Sequence, residues 1–288
     1  MSSTAGVAPV AATHKQRLWS LWVNQAIAIF RLEVKKNFLG KRALLIYLIA
    51  LMPILLFAAL ALFPYTANKL SNPSNATIAF ATIYETFLLR TIVFFGCAWI
   101  FMNLFRGDLV DRSLHYYFLA PVRREVLVIG KYLSGLLTAV LLFNIMTAGC
   151  LFFLYLPRGY AASLEHIFNG PGFSQAFSYF GIVALACAGY GAVFLMIGLF
   201  FRNPIFPAIA VYGWEFINFL LPPLLKKISV THYLQSLSPV PMSEGPFALI
   251  AEPAPAWLAI LGLLGFTIVI LIFSGLHIRR MEIKYGSD

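Results

Sequence analysis

The sequence predicts an all-α membrane protein: six transmembrane helices, an interfacial helix ahead of the first, and a short helix between the second and third. Three observations predict it. Of 288 residues, 60% are hydrophobic and only 11% are charged, where soluble domains carry about a quarter charged residues. Apolar runs of about 20 residues, the length that crosses a hydrocarbon core, recur six times. The cations are sorted to one side of those runs.

Residues 1–14 are small and polar and are expected to be disordered. In residues 15–42, Trp19, Trp22, Val23, Ala26, Ile29 and Phe30 recur at helical spacing, with Lys15, Ser20, Asn24, Arg31 and Lys35 between them. Tryptophans and cations on one amphipathic stretch suit a helix lying in the membrane interface. A cytoplasmic helix packed on the bundle is the alternative. No secretory signal is expected ahead of it, because the first apolar run starts only at Ala43 and has the length of a full span. Residues 43–288 then form one six-helix domain.

The expected spans are Ala43–Phe63, Phe87–Phe105, Tyr132–Leu156, Phe177–Phe201, Ile205–Leu225 and Trp257–His277. Between them, Pro64–Glu85 and Pro157–Ala176 read as loops, and Lys226–Ala256 as a longer connection. Of the 21 Lys and Arg, 16 fall on the side of the N-terminus. Lys69, Arg158, Lys226 and Lys227 fall on the other side, and Arg90 lies within a span. The positive-inside rule then places both termini in the cytoplasm. The net charge of +10 is thereby read as membrane topology, and no nucleic-acid partner is expected.

The connection after span two holds Asp108, Asp111, Arg112 and His115 on one helical face and Val110, Leu114, Tyr117 and Phe118 on the opposite one. Asp108 can cap the start of such a helix, and Pro121 stops it. A short amphipathic helix tied to two spans would pass force to both; a solvated loop helix without a partner is the bland alternative. Within the spans, Glu215 lies near the midplane and is a candidate for a translocation path, with a buried packing role as the alternative. Arg90, near the outer end of span two, is read mainly as a snorkelling anchor and secondarily as part of such a path. Cys97, Cys150 and Cys187 sit in apolar runs and read as core residues. No His pair has metal-ligand spacing, and no Gly-x-Ser-x-Gly elbow occurs.

The connection resembles the corresponding stretch of type-2 ABC exporter permeases. Asp108 matches that family's acidic position, Ser113-Leu114 its Thr-Leu step, and Leu119-Ala120-Pro121-Val122 the entry to the next helix. Arg123-Arg124-Glu125 and Gly130-Lys131 match the family's basic pair and its apolar-Gly-Lys step. Arg112 stands where the family has Gly, and His115 where it often has Glu. Arg202-Asn203-Pro204 and Leu237-Ser238-Pro239 fit the same frame. The resemblance implies a coupling helix in which Asp108, Asp111, Arg112, Ser113, Leu114 and His115 contact a cytoplasmic ATPase subunit. It also implies a second permease copy and residence in a plasma membrane, the bacterial inner membrane. The chain lacks a phosphate loop of its own: Gly40-Lys41 is followed by Arg42, Gly130-Lys131 by Tyr132, and neither has the upstream Gly. The expectation is a transport subunit without enzymatic activity or cofactor, its ATP and Mg held by the partner. An ATP-independent secondary transporter or a polytopic membrane enzyme is the alternative.

Overall fold

The computed structural model describes residues 10–40, 43–110, 123–201, 203–226, 228–240 and 255–280, and these contain no strand. Helix α1 (Val10–Leu39) leads through Gly40 to α2 (Ala43–Leu62). Prolines open α3 (Pro64–Ser71) and α4 (Pro73–Ile83). A helix's first turn tolerates proline because the missing amide would be unpartnered there anyway. The Asn72 side chain caps α4, accepting from Ser74 N at 3.2 Å. Helix α4 continues through a π-helical stretch, Tyr84–Val93, into α5 (Phe94–Val110). Then come α6 (Arg124–Tyr155), a 3-10 turn (Leu156–Arg158), α7 (Tyr160–Phe168) and α8 (Gly172–Phe200). The last third comprises α9 (Ile205–Phe216), a 3-10 turn (Ile217–Leu220), α10 (Pro223–Lys226), α11 (Val230–Gln235) and α12 (Ala256–Arg280).

Five stretches among the described residues are long and apolar enough to cross a membrane: Ala43–Leu62, Pro73–Asp108, Arg124–Arg158, Gly172–Phe200 and Ala256–Arg280. Helix α8 is the hub. It is largely buried and packs on α5, α6, α11 and α12. Small residues allow the close approach to α5: a Cβ on Gly191 would stand 2.4 Å from the Phe101 ring, and one on Gly198 would stand 3.0 Å from the Met102 backbone. By contrast, α2 and α12 turn Leu44, Leu48, Leu55, Leu261, Ile268 and Ile272 outward. In water such faces would be an aggregation hazard; against acyl chains they are at home. The chain is a multi-pass helical membrane protein.

Side-chain contacts fix the direction of each helix. The His277 ring stacks on Phe200 at 3.8 Å, and Leu263 packs at Gly189, so α8 and α12 run parallel and end on one face. Arg124, at the start of α6, donates to the carbonyls of Ile278 and Arg279 at 3.0 Å each, so α6 begins on that face. It is rich in arginine and lysine and is called the basic face below; the opposite one is the far face.

Two expectations, on the outer loops and on the fifth span, are corrected. Residues 10–14 belong to α1, and residues 1–9 lie outside the described residues. The basic helix packs lengthwise on the first turns of α6, with Trp22 at Arg123, Ile29 on Gly130 and Glu33 at Lys131. The segments read as loops hold α3, α4 and α7, because Pro64 and Pro73 start helices where composition suggested only breaks. The fifth span, expected over Ile205–Leu225, is not continuous. Its α-helical part has 12 residues, about 18 Å against the roughly 30 Å of a hydrocarbon core. Pro222 has no amide to continue the ladder, and it holds Leu221 extended at φ −75°, ψ 145°.

Candidate functional site

The largest concentration of buried charge among the described residues lies at the basic face, where α1, α5 and α6 meet. Lys131, on the third turn of α6, has no exposed side chain. Its Nζ donates to Asp108 Oδ2 at 2.5 Å, to the Leu104 carbonyl at 2.8 Å and to Glu33 Oε1. These three bonds use all three ammonium donors, and the Phe105 ring lies 5.3 Å from the same nitrogen. Lys36 Nζ donates to the other Asp108 oxygen at 2.5 Å. Asp108 and Glu33 are each 1% exposed. Two cations thus balance two anions: Lys131, Asp108 and Glu33 are shut off from solvent, and the partly exposed Lys36 closes the cluster at its rim. A buried charge is tolerated only when it is paired and hydrogen-bonded, and each member here supplies what another requires.

This cluster stands at one end of the segment 111–122. The other end is fastened as well. The Arg123 guanidinium lies 4.1 Å over the Trp22 ring of α1. Arg124 satisfies two of the last carbonyls of α12, and Glu125 pairs with Arg279. A cation at a helix C-terminus meets both open carbonyls and the negative end of the helix dipole.

The sequence-predicted contact residues separate here. Asp108 sits in the last turn of α5 and points inward, where the Lys131 and Lys36 ammonium groups each donate to one of its oxygens. Asp111, Arg112, Ser113, Leu114 and His115 lie outside the described residues.

Glu215 closes α9 and is 5% exposed. Its carboxylate accepts from Ser229 Oγ at 2.6 Å, Val230 N at 2.9 Å and Thr231 N at 3.1 Å. It thereby satisfies the open amides at the start of α11 and ties the two halves of the broken segment together. Val230 packs at Gly189, and Thr231 shares a hydrogen bond of 3.0 Å with the Tyr190 hydroxyl. Tyr190 is ten residues, about 15 Å, from the basic end of α8. Three residues beyond Glu215, the 1%-exposed Asn218 has neither amide atom hydrogen-bonded among the described residues.

Arg90 lies further along its helix than expected. The helix that contains it begins at Pro73 and runs 36 residues to Asp108, so Arg90 is central rather than near an end. Arg90 and Glu215 both lie close enough to the Tyr190 phenol to act on it electrostatically. Sequence reading missed Lys131, Lys36 and Glu33 as site residues. The available signal was a lone lysine in the opening turns of an apolar helix, which burial forces to find an anion. Cys97, Cys150 and Cys187 are buried free thiols. No protein-family model, curated protein or solved structure matches the chain.

Proposed function

We propose that this chain is the transmembrane subunit of an ATP-binding-cassette exporter, driven by a separate cytoplasmic ATPase and working beside a second permease copy. The observation that carries the reading is that both ends of the 111–122 segment are fastened, one by the Asp108 cluster and the other by Arg123, Arg124 and Glu125. A push on that segment would reach α1, α5, α6 and α12 together. The segment's resemblance to a coupling helix supplies the surface to be pushed: Asp111, Arg112, Ser113, Leu114 and His115. Asp108 is then a positioning residue behind that surface.

The helix directions support an even number of crossings. α8 and α12 both end at the basic face, so the chain between them returns across, and the broken segment makes the fifth of six crossings. With the cation-rich face inside, both termini are cytoplasmic in a bacterial inner membrane. ATP and Mg belong to the partner.

The test is co-purification with an ATPase that carries a phosphate loop. Leu114→Asp places a charge on the apolar side of the proposed coupling helix and is expected to abolish association while leaving the chain folded. Transport by the purified chain alone, driven by an ion gradient without ATP, overturns the reading. That second outcome is the ATP-independent alternative. The broken segment favours it, because midplane breaks carrying a carboxylate are a mark of secondary transporters.

A further inference from the structure

At the far face, α6, α7 and α8 border an open cavity of about 460 Å³, within the ~300–1,000 Å³ range of small-molecule sites. Leu151, Phe152, Leu164, Ile167, Phe173 and Phe180 line it. Phe152 and Phe173 are also strongly exposed, so the mouth opens through aromatic rings towards the surroundings of the helices and not into an aqueous vestibule. Tyr155 forms another part of the wall and carries a polar group on its ring. The Arg158 guanidinium lies 5.2 Å from the Tyr155 centroid.

One Arg158 nitrogen is occupied: Nη2 donates to the Pro73 carbonyl at 3.1 Å. Nε and Nη1 are buried and have no hydrogen-bond partner among the described residues. Buried donors are almost always satisfied, and two open N–H groups on one cation are matched by oxyanion acceptors. The His166 ring packs on the other side, 5.8 Å from Tyr155, with its Nε2 also buried and open.

Depth orders these features. Arg158 is the last residue of its spanning stretch, at the level where headgroups lie. Ala148, also in the lining, is ten residues earlier, about 15 Å towards the membrane interior. Arg158 does not line the cavity itself but stands behind Tyr155, which does; a cation bordering the outer end of an apolar cavity that descends between the helices has the polarity order of a phospholipid.

We propose that this cavity is a binding site for a membrane phospholipid of the far-face leaflet: one acyl chain fills the space between α6, α7 and α8, and the phosphate meets the open N–H groups of Arg158. The site stands independently of the export reading.

The test uses the full chain in vesicles of phosphatidylcholine that contain a trace of phosphatidylglycerol with a photoreactive group at one chain end. Cross-links are expected to concentrate in the peptides 148–156 and 173–180. Arg158→Gln reduces that labelling about tenfold, the worth of one hydrogen-bonded contact to a charged group. Ala176→Phe, which fills the cavity, abolishes it with Arg158 in place, and added inorganic phosphate does not displace it. Labelling spread evenly over the exposed faces of α2 and α12 overturns the proposal, as does cavity labelling that Arg158→Gln leaves unchanged. Should Ala176→Phe fail to fold, the label map of the unsubstituted protein and the Arg158→Gln comparison still decide.

Discussion

Lys131 of α6 and Asp108 of α5 are joined at 2.5 Å in a pocket that leaves neither side chain open to solvent. They flank the 111–122 segment in the chain, so this bond ties the helix that enters the segment to the helix that leaves it. Glu33 and Lys36 add α1 to the same junction. Two anions alone would repel, and two cations likewise. Only the alternation Glu33–Lys131–Asp108–Lys36 leaves each charge beside its opposite.

Removing one member leaves an uncompensated charge in a dry site. Lys131→Met is therefore expected to destabilise the chain by about 3–5 kcal/mol, measured by chemical unfolding in detergent. Adding Asp108→Asn to that variant recovers part of the loss, because the stranded carboxylate is gone. The two single losses then add to more than the double variant shows, and strict additivity would contradict the pairing.

The contact between α5 and α8 depends on a missing side chain. A Cβ on Gly191 lands 2.4 Å from Phe101, whereas one on Gly181 or Gly265 meets nothing within 4 Å. Gly191→Leu forces the Phe101 ring aside in a filled core, at a cost of about 1–3 kcal/mol or more. Gly181→Leu is expected to be near neutral. Thermal unfolding of the two variants side by side checks this, and equal effects would show that α5 and α8 do not meet at Gly191.

The spans were legible because lipid imposes a simple rule: a crossing helix must be apolar along its length, and four of the six runs are helices of span length close to their expected bounds. Span two was found but read too short, since α4 extends it back to Pro73 through residues whose apolar content is lower. That displaced Arg90 from the middle of a long helix to its rim. The fifth run was apolar enough to count as a span, yet Pro222-Pro223 breaks it, and hydropathy averages do not register a lost amide. Glu215 stood out as a charge among apolar neighbours, but Ser229, Val230 and Thr231 did not, because uncharged donors 14 to 16 residues away carry no pattern. The Lys131 cluster left only the trace of a lone lysine in an apolar helix, because its carboxylate partners stand 23 and 98 residues away.

Glu215 gives the broken segment its shape. Glu215→Gln keeps one carbonyl oxygen but turns an amide nitrogen towards donors that then have no acceptor. An unsatisfied buried donor costs about 1–3 kcal/mol, so residues 217–235 are expected to exchange amide hydrogens faster while the helices around α8 remain protected. Hydrogen exchange resolved by segment checks this. If exchange is unchanged and both assembly and transport are intact, Glu215 has neither the structural nor the path role.

His166 supplies a pH dependence on the far face. Partial burial, and then repulsion from Arg158, hold its imidazole below the ordinary histidine value of 6.5. The unfolded chain, with an ordinary histidine near 6.5, takes up the proton first as pH falls. Between that value and the lower folded one the unfolded state binds more protons, so stability falls with acidification through this window. Above it the group has no effect, and below the folded value the loss is complete. The ring is partly open to solvent, so the effect is local and small. Hydrogen exchange across residues 160–176 is expected to accelerate as pH falls below about 6.5. His166→Asn removes the dependence, and Arg158→Gln moves the titration upward towards the ordinary value. A His166 that titrates at the same pH in both the unsubstituted chain and Arg158→Gln would mean that the guanidinium does not act on it.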